Sequence, residues 1–149
     1  DPELDIALGL VLQHRFEMSP LPVPYLKAIW RPDPTVECEL RVTGLQTGVF
    51  VRWFLTEDRG SMLDFTMAYE TLMFRLGDGS YGGRAVAVGE VPLRVGLTQF
   101  LEPSGTWFVR GAAEWVAFAR HSFRHDGETM GAFQPGASWG LTVRLGARF

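Results

Sequence analysis

Alternation at every second position constrains this chain more than any other feature of its sequence. In the segment from Trp139 to Phe149, one series of residues is wholly apolar, and the other carries Arg144 and Arg148. Successive side chains of a β-strand point to opposite faces of a sheet. The segment is therefore predicted to be a strand with one apolar face and one charged face.

The same period of two recurs along the whole chain. Further predicted strands begin near Leu4, Leu26, Val36, Val49, Leu63, Val91 and Val109, with an earlier start near Arg84 for the sixth. The segments between the strands are rich in turn residues and span 14–24, 31–35, 44–48, 56–61, 77–83, 102–105 and 121–136. We expect residues 1–149 to form one all-β domain, an eight-stranded antiparallel up-and-down transmembrane β-barrel.

Composition excludes several classes of protein. A formal net charge of -3 provides no basic surface for nucleic acid, so no nucleic-acid partner is predicted. A single cysteine, Cys38, excludes an internal disulfide and a multi-cysteine metal site. No apolar run reaches the roughly 18 residues that a membrane helix needs. We predict neither a metal nor a cofactor.

The size of the side chains predicts which face of the strands is outside. Large aliphatic and aromatic residues would overfill the interior of an eight-stranded barrel, whereas small residues mixed with charges suit a narrow lumen. The side chains predicted to face lipid are those of Leu8, Leu10, Leu40, Val51, Phe65, Leu93, Trp115, Leu141, Val143, Leu145 and Phe149. The predicted lumen charge network comprises Asp5, Lys27, Glu37, Glu39, Arg41, Arg52, Asp64, Glu70, Arg94, Arg110, Glu114, Arg144 and Arg148.

Closure of the barrel would set the first strand beside the last. We therefore expect Asp5 to pair with Arg148 or Arg144. Four tryptophans fall at or near strand ends, where interfacial girdles lie: Trp30, Trp53, Trp107 and Trp139. Pro92 removes a ladder hydrogen bond, so the segment 90–92 is expected to form either a bulge or a turn that changes the strand count.

The alternating terminal strand that ends in Phe149 resembles the C-terminal assembly signal of bacterial outer-membrane barrels. The predicted strand count resembles the small barrels of the OmpA/OmpX type. This resemblance implies an integral outer-membrane protein with both termini in the periplasm. It also implies contact with outer-membrane lipid and lipopolysaccharide, and recognition of the last strand by the barrel-assembly machinery. The expected role is structural or interactive, with another membrane protein as a further partner at the small-residue face around Trp115.

Two other functions stay open. His14, His121, Ser122, His125 and Asp126 lie in predicted outer loops, where a serine, a histidine and an acid could hydrolyse or transfer an acyl ester of lipid A. Because His121 and Ser122 are adjacent and would point to opposite faces of a strand, a solvated polar loop is the simpler interpretation. The other alternative is a soluble lipocalin-like barrel, although the Gly-x-Trp motif of lipocalins is missing from the first strand.

Overall fold

The computed structural model describes residues 2–15, 18–75, 84–102, 106–125 and 128–147. These residues contain nine β-strands in one antiparallel sheet. The strands are β1 (Glu3–Arg15), β2 (Met18–Asp33), β3 (Val36–Val42), β4 (Gln46–Phe54), β5 (Ser61–Arg75), β6 (Arg84–Phe100), β7 (Trp107–His125), β8 (Glu128–Phe133) and β9 (Ser138–Ala147). The prediction of an all-β, up-and-down antiparallel topology is confirmed.

The strand count differs from the predicted eight, because β8 and β9 share one edge of β7. β8 pairs with residues 121–125 of β7, and β9 pairs with residues 107–116. The segment 121–136, predicted to be a loop, thus contains the end of β7 and all of β8. Ring contacts across this hairpin join His121 and Phe123 to Phe133, which explains why the strands continue there.

The predicted turn at 14–24 is also wrong, because β1 runs to Arg15 and β2 starts at Met18. Pro22 and Pro24 pair with β1, whereas the pairing of β2 with β3 begins only at Leu26. Since the two prolines are two residues apart, their missing N–H groups point to the same side of the strand. A side without a neighbouring strand tolerates prolines.

Pro92 lies inside a continuous β6, so the bulge was the correct alternative and the turn was not. Val91 pairs with Phe118 and Pro92 with Val116, which leaves Ala117 of β7 without a partner in the register. This extra residue in β7 interrupts the ladder beside Pro92, which cannot donate a backbone hydrogen bond.

One tight turn joins β4 to β5. The N–H of Arg59 donates to the carbonyl of Thr56 over 2.9 Å, and Arg59 has a left-handed φ of 57°. The carboxylate of Asp58 accepts the N–H of Gly60 at 2.9 Å. A hydrogen bond from the Thr56 side chain is the main reason that the pKa of Asp58 is below its ordinary value.

Turns at 34–35 and 55–60 lie at one end of the sheet, together with the start of β1, the end of β6 and the end of β9; we call this the terminal end. Among the described residues no ladder joins β1 to β8 or β9, so these strands are the edges of the sheet. The buried apolar residues are small: Ala68, Ala85, Val116 and Ala119. The largest side chains below 2% exposure are those of Glu39 and Pro92. The described part of the sheet therefore lacks a core of large aliphatic side chains.

Candidate functional site

A row of charged residues crosses one face of the sheet, which we call the charged face. In the strand register Glu37 lies opposite Arg52, Arg52 opposite Asp64, and Arg94 opposite Glu114. Opposite charges at directly facing positions stabilise a strand pair. Strand alternation thus puts these side chains on one face, and the register brings acids beside bases.

Glu39 is at the centre of the first cluster, with only 1% of its side chain exposed. Its Oε1 lies 2.5 Å from Nη2 of Arg41 and its Oε2 lies 3.4 Å from Nη2 of Arg52. Arg52 also binds Glu37. A buried carboxylate costs several kcal/mol unless it is paired, and Glu39 has two guanidinium partners.

A second cluster joins β4, β5, β6 and β7. Arg94 binds Glu70 on one neighbouring strand, with Nη1 2.5 Å from Oε1, and Glu114 on the other. Gln46 donates to the same oxygen of Glu70 over 2.9 Å. Arg94 is therefore held by a carboxylate on each side.

The ion pair between Asp64 and Arg110 spans three strands, because β6 lies between β5 and β7. Nη2 of Arg110 is 2.5 Å from Oδ1 of Asp64, and both side chains are mostly buried. The pair passes over Gly96 of β6. A Cβ at Gly96 would lie 2.5 Å from Nη2 of Arg110 and 2.6 Å from Oδ2 of Asp64. The glycine provides the space in which this ion pair forms.

At the terminal end the pairing differs from the prediction. Asp5 contacts Arg31 of β2, at 2.6 Å, rather than Arg144 of the last strand. β1 and β2 are neighbours in the sheet, whereas no ladder joins β1 to β9 among the described residues, and this explains the difference. Arg148 lies outside the described residues. For Lys27 and Arg144 no ion pair is found within the described part of the chain.

Two polar residues of this face, Glu3 and Gln46, were not among the residues assigned to it from the sequence. Arg31 binds Asp5, Glu37 and Glu3, the last at 3.3 Å. Glu3 precedes the predicted start of the first strand, and Gln46 falls in the segment 44–48 that was predicted to be a turn. Extending the alternation by one or two residues at strand ends would have found both.

The opposite face, which we call the apolar face, is exposed. In the central strands β5 and β6, Phe65, Met67, Val95 and Leu97 are 41% to 51% exposed. Between them on the charged face, Thr66, Ala68 and Thr98 are 2% to 9% exposed. These strands lie inside the sheet, so the difference is not an effect of its edges. The face predicted to contain large apolar groups is the exposed one.

The individual residues predicted to face lipid follow this division. Exposed among them are Leu8, Leu10, Leu40, Phe65, Trp115, Leu141, Val143 and Leu145. Val51 and Leu93 are half-buried, and Phe149 lies outside the described residues.

The candidate catalytic residues do not form a site in the described part of the chain. The ring of His121 packs edge-on against Phe133, at 4.9 Å between centroids. The hydroxyl of adjacent Ser122 donates to the carbonyl of Ala87 over 3.4 Å. His125 lies at the end of β7, whereas Asp126 and the side chain of His14 lie outside the described part.

Within the described residues, no group of three or more His, Cys, Asp or Glu side chains could hold a metal ion. Those residues also contain no helix long and apolar enough to cross a membrane. Comparison of the chain with protein-family models, curated proteins and solved structures finds no match.

Proposed function

We propose that this chain is a small integral β-barrel of a bacterial outer membrane, with a structural or interaction role and no wide pore. The observation that carries the proposal is the inverted burial: Glu39 is 1% exposed while Val95 and Leu97 on a central strand are about half exposed. A water-soluble sheet gains stability by covering its apolar face. Lipid instead favours large apolar side chains outside and paired charges inside.

Closure of the sheet is part of the proposal. β1 carries Glu3 and Asp5 on the charged face, and their side chains are 65% and 56% exposed. β9 carries Arg144 on the same face, opposite Arg110 in the strand register. An open edge presents unpaired N–H and C=O groups, which have no partner in a bilayer. Pairing of β1 with β9 would satisfy these groups and bring the acids toward the arginine.

Tryptophan positions support a membrane boundary at the terminal end. Trp30, Trp53 and Trp107 lie near the turns of that end and are 49% to 52% exposed. Trp139, in contrast, pairs with Trp115 further along the sheet. Tryptophan is enriched where a membrane protein passes from lipid to water. The terminal end would face the periplasm, and outer-membrane lipid would surround the apolar face.

The side chains on the charged face support a narrow interior for the proposed barrel. Arg52 and Arg94 bind carboxylates on adjacent strands, and Arg110 binds one that is two strands away. Because β8 and β9 pair with different parts of β7, a closed barrel would have eight strands at any level. Guanidinium groups and their partners would occupy its centre. Passage of large solutes is excluded under this proposal. The geometry around Ser122 does not favour the lipid-modifying alternative.

The experiment compares two arginine substitutions at exposed apolar positions. Val95 is 48% exposed on β6, five residues before the end of that strand at Phe100, and Leu101 is 58% exposed directly after the strand, at the terminal end. In a membrane barrel Val95→Arg should lower the free energy of unfolding from lipid vesicles by about 2–4 kcal/mol, and Leu101→Arg by at most about 1 kcal/mol. Gel mobility before and after boiling would report the folded fraction.

A soluble protein gives the opposite result. Both substitutions would then place a charge on a water-exposed surface and change stability by roughly 0.5 kcal/mol or less. A purified chain that is folded and monomeric without detergent would refute the membrane proposal, whatever the variants show.

A further inference from the structure

A cavity of about 320 Å³ opens on the charged face near the terminal end. Phe50, Phe100 and Phe108 contribute three aromatic rings to its wall, and Met62 adds a thioether. Phe100 and Phe108 pack edge to face with centroids 6.2 Å apart. The volume is at the lower end of the range for small-molecule sites.

The ring of Phe108 keeps its place because the opposite residue on β9 has no side chain. A Cβ at Gly146 would lie 2.5 Å from Cζ of Phe108. The aromatic wall of the cavity is thus built by a strand register that sets phenylalanine against glycine.

One hydroxyl group of the cavity wall has no hydrogen-bond partner among the described residues. Thr98 is 3% exposed, and its Oγ1 makes no hydrogen bond to any described residue. A buried hydroxyl without a partner costs about 1–3 kcal/mol, so such a group in a native structure points to a missing partner. A ligand hydroxyl can both donate to and accept from a threonine hydroxyl.

The charged groups of the cavity wall are already neutralised. Arg110 binds Asp64, and Arg52 binds Glu37 and Glu39. A carboxylate ligand would have to displace a protein carboxylate from its guanidinium partner. The other side chains of the wall are apolar, apart from the hydroxyls of Thr66 and Thr98, which suits an uncharged ligand.

We propose that this cavity binds a small, neutral, hydroxylated aromatic molecule, with its ring among the phenylalanines and its hydroxyl on Thr98 Oγ1. This site goes beyond the proposed membrane role. Its test requires only folded protein, so its outcome is separate from that of the arginine substitutions.

The test measures binding of 4-ethylphenol and ethylbenzene to the folded chain and to Thr98→Val, in the same buffer or micelle. Valine keeps the shape of threonine and removes the hydroxyl. We expect Thr98→Val to weaken 4-ethylphenol binding on the order of 5-fold and to leave ethylbenzene binding unchanged, because one neutral hydrogen bond is lost. Thr142→Val on exposed β9 is the matched control and should change neither ligand. Chemical shifts of the phenylalanine rings would report the location of binding.

Three results would overturn the proposal. They are no binding of 4-ethylphenol by the unaltered chain, equal effects of Thr98→Val on both ligands, and tighter binding of 4-ethylbenzoate than of 4-ethylphenol. The last would show that the arginines, not Thr98, select the ligand.

Discussion

Substitution of Gly96 by alanine should destabilise the fold through an ion pair that the glycine does not itself make. The new Cβ would lie 2.5 Å from Nη2 of Arg110 and 2.6 Å from Oδ2 of Asp64. Both atoms are at the ends of side chains, so the backbone can stay in place while the ion pair must separate. The perturbation therefore acts on the pair between β5 and β7.

The magnitude follows from the burial of the pair. The side chains of Arg110 and Asp64 are 22% and 13% exposed. Exposed pairs contribute about 0–1 kcal/mol, and removal of one partner from a buried pair costs about 3–5 kcal/mol. For this half-way environment we expect a cost of about 2 kcal/mol. Replacing a strand glycine by alanine stabilises the fold by about 0.5–1 kcal/mol. The net decrease in the free energy of unfolding is therefore about 1–1.5 kcal/mol.

Gly111 on β7 provides the matched control, because a Cβ there meets nothing within 4 Å. Gly111→Ala should therefore raise the free energy of unfolding by about 0.5–1 kcal/mol, because no ion pair is disturbed. The assay is urea unfolding followed by tryptophan fluorescence, in micelles where the chain requires them. The two glycine variants should differ by about 2 kcal/mol in the free energy of unfolding.

A double substitution of the ion pair decides whether this explanation is correct. In an Asp64→Ala, Arg110→Ala background the space above Gly96 is empty, so Gly96→Ala should behave like Gly111→Ala. Equal stability of the two glycine variants in the unaltered chain would refute the reasoning. A cost that persists in the alanine background would show that another contact is responsible.

Three further predictions test the backbone and a turn. Gly48→Ala should lower the free energy of unfolding, measured by chemical denaturation, by about 3 kcal/mol. Its Cβ would clash with the carbonyl oxygen of Met67 and lie 2.5 Å from Cα of Ala68, and these backbone atoms cannot move aside as a side chain can. Stability like that of Gly111→Ala would contradict this prediction. Hydrogen exchange in lipid vesicles should protect every amide of β1 if the sheet closes, whereas protection of alternate amides only would show an open edge. Thr56→Val should raise the pKa of Asp58 toward its ordinary value, as measured by carboxyl NMR titration. Because the pKa of Asp58 is lowered in the folded state, its contribution to stability is present above the unfolded-state pKa. That contribution is lost as the pH falls through the folded-state pKa.

Local alternation was sufficient to predict which residues share a face. Glu37, Asp64 and Arg94 were assigned to one series from the sequence alone, and the register brings each to a partner of opposite charge. The period of two is a property of the extended backbone, so the assignment of residues to a face does not depend on where a strand begins or ends.

Strand ends and partners were predicted less well, for physical reasons. Prolines such as Pro22 suggest a turn, but they are tolerated in β2 where no second strand pairs with it. The choice of Arg31 rather than Arg144 for Asp5 depends on which strands are neighbours, and alternation carries no information about that. The unpartnered hydroxyl of Thr98 is visible only once the strands around the cavity are in register.

The charged face also explains why its small residues lie where they do. A guanidinium that reaches a carboxylate two strands away must cross the strand between them, and a side chain on that strand would block it. Gly96 lies below the crossing of Arg110 and Asp64, and the opposed pair Gly48 and Ala68 lets β4 and β5 approach closely. Long charged side chains on this face therefore require small neutral residues on the strands that they cross. Enlarging Gly96 should therefore disturb the ion pair that crosses it. Comparing Gly96→Ala in the unaltered chain and in the Asp64→Ala, Arg110→Ala background measures that effect directly.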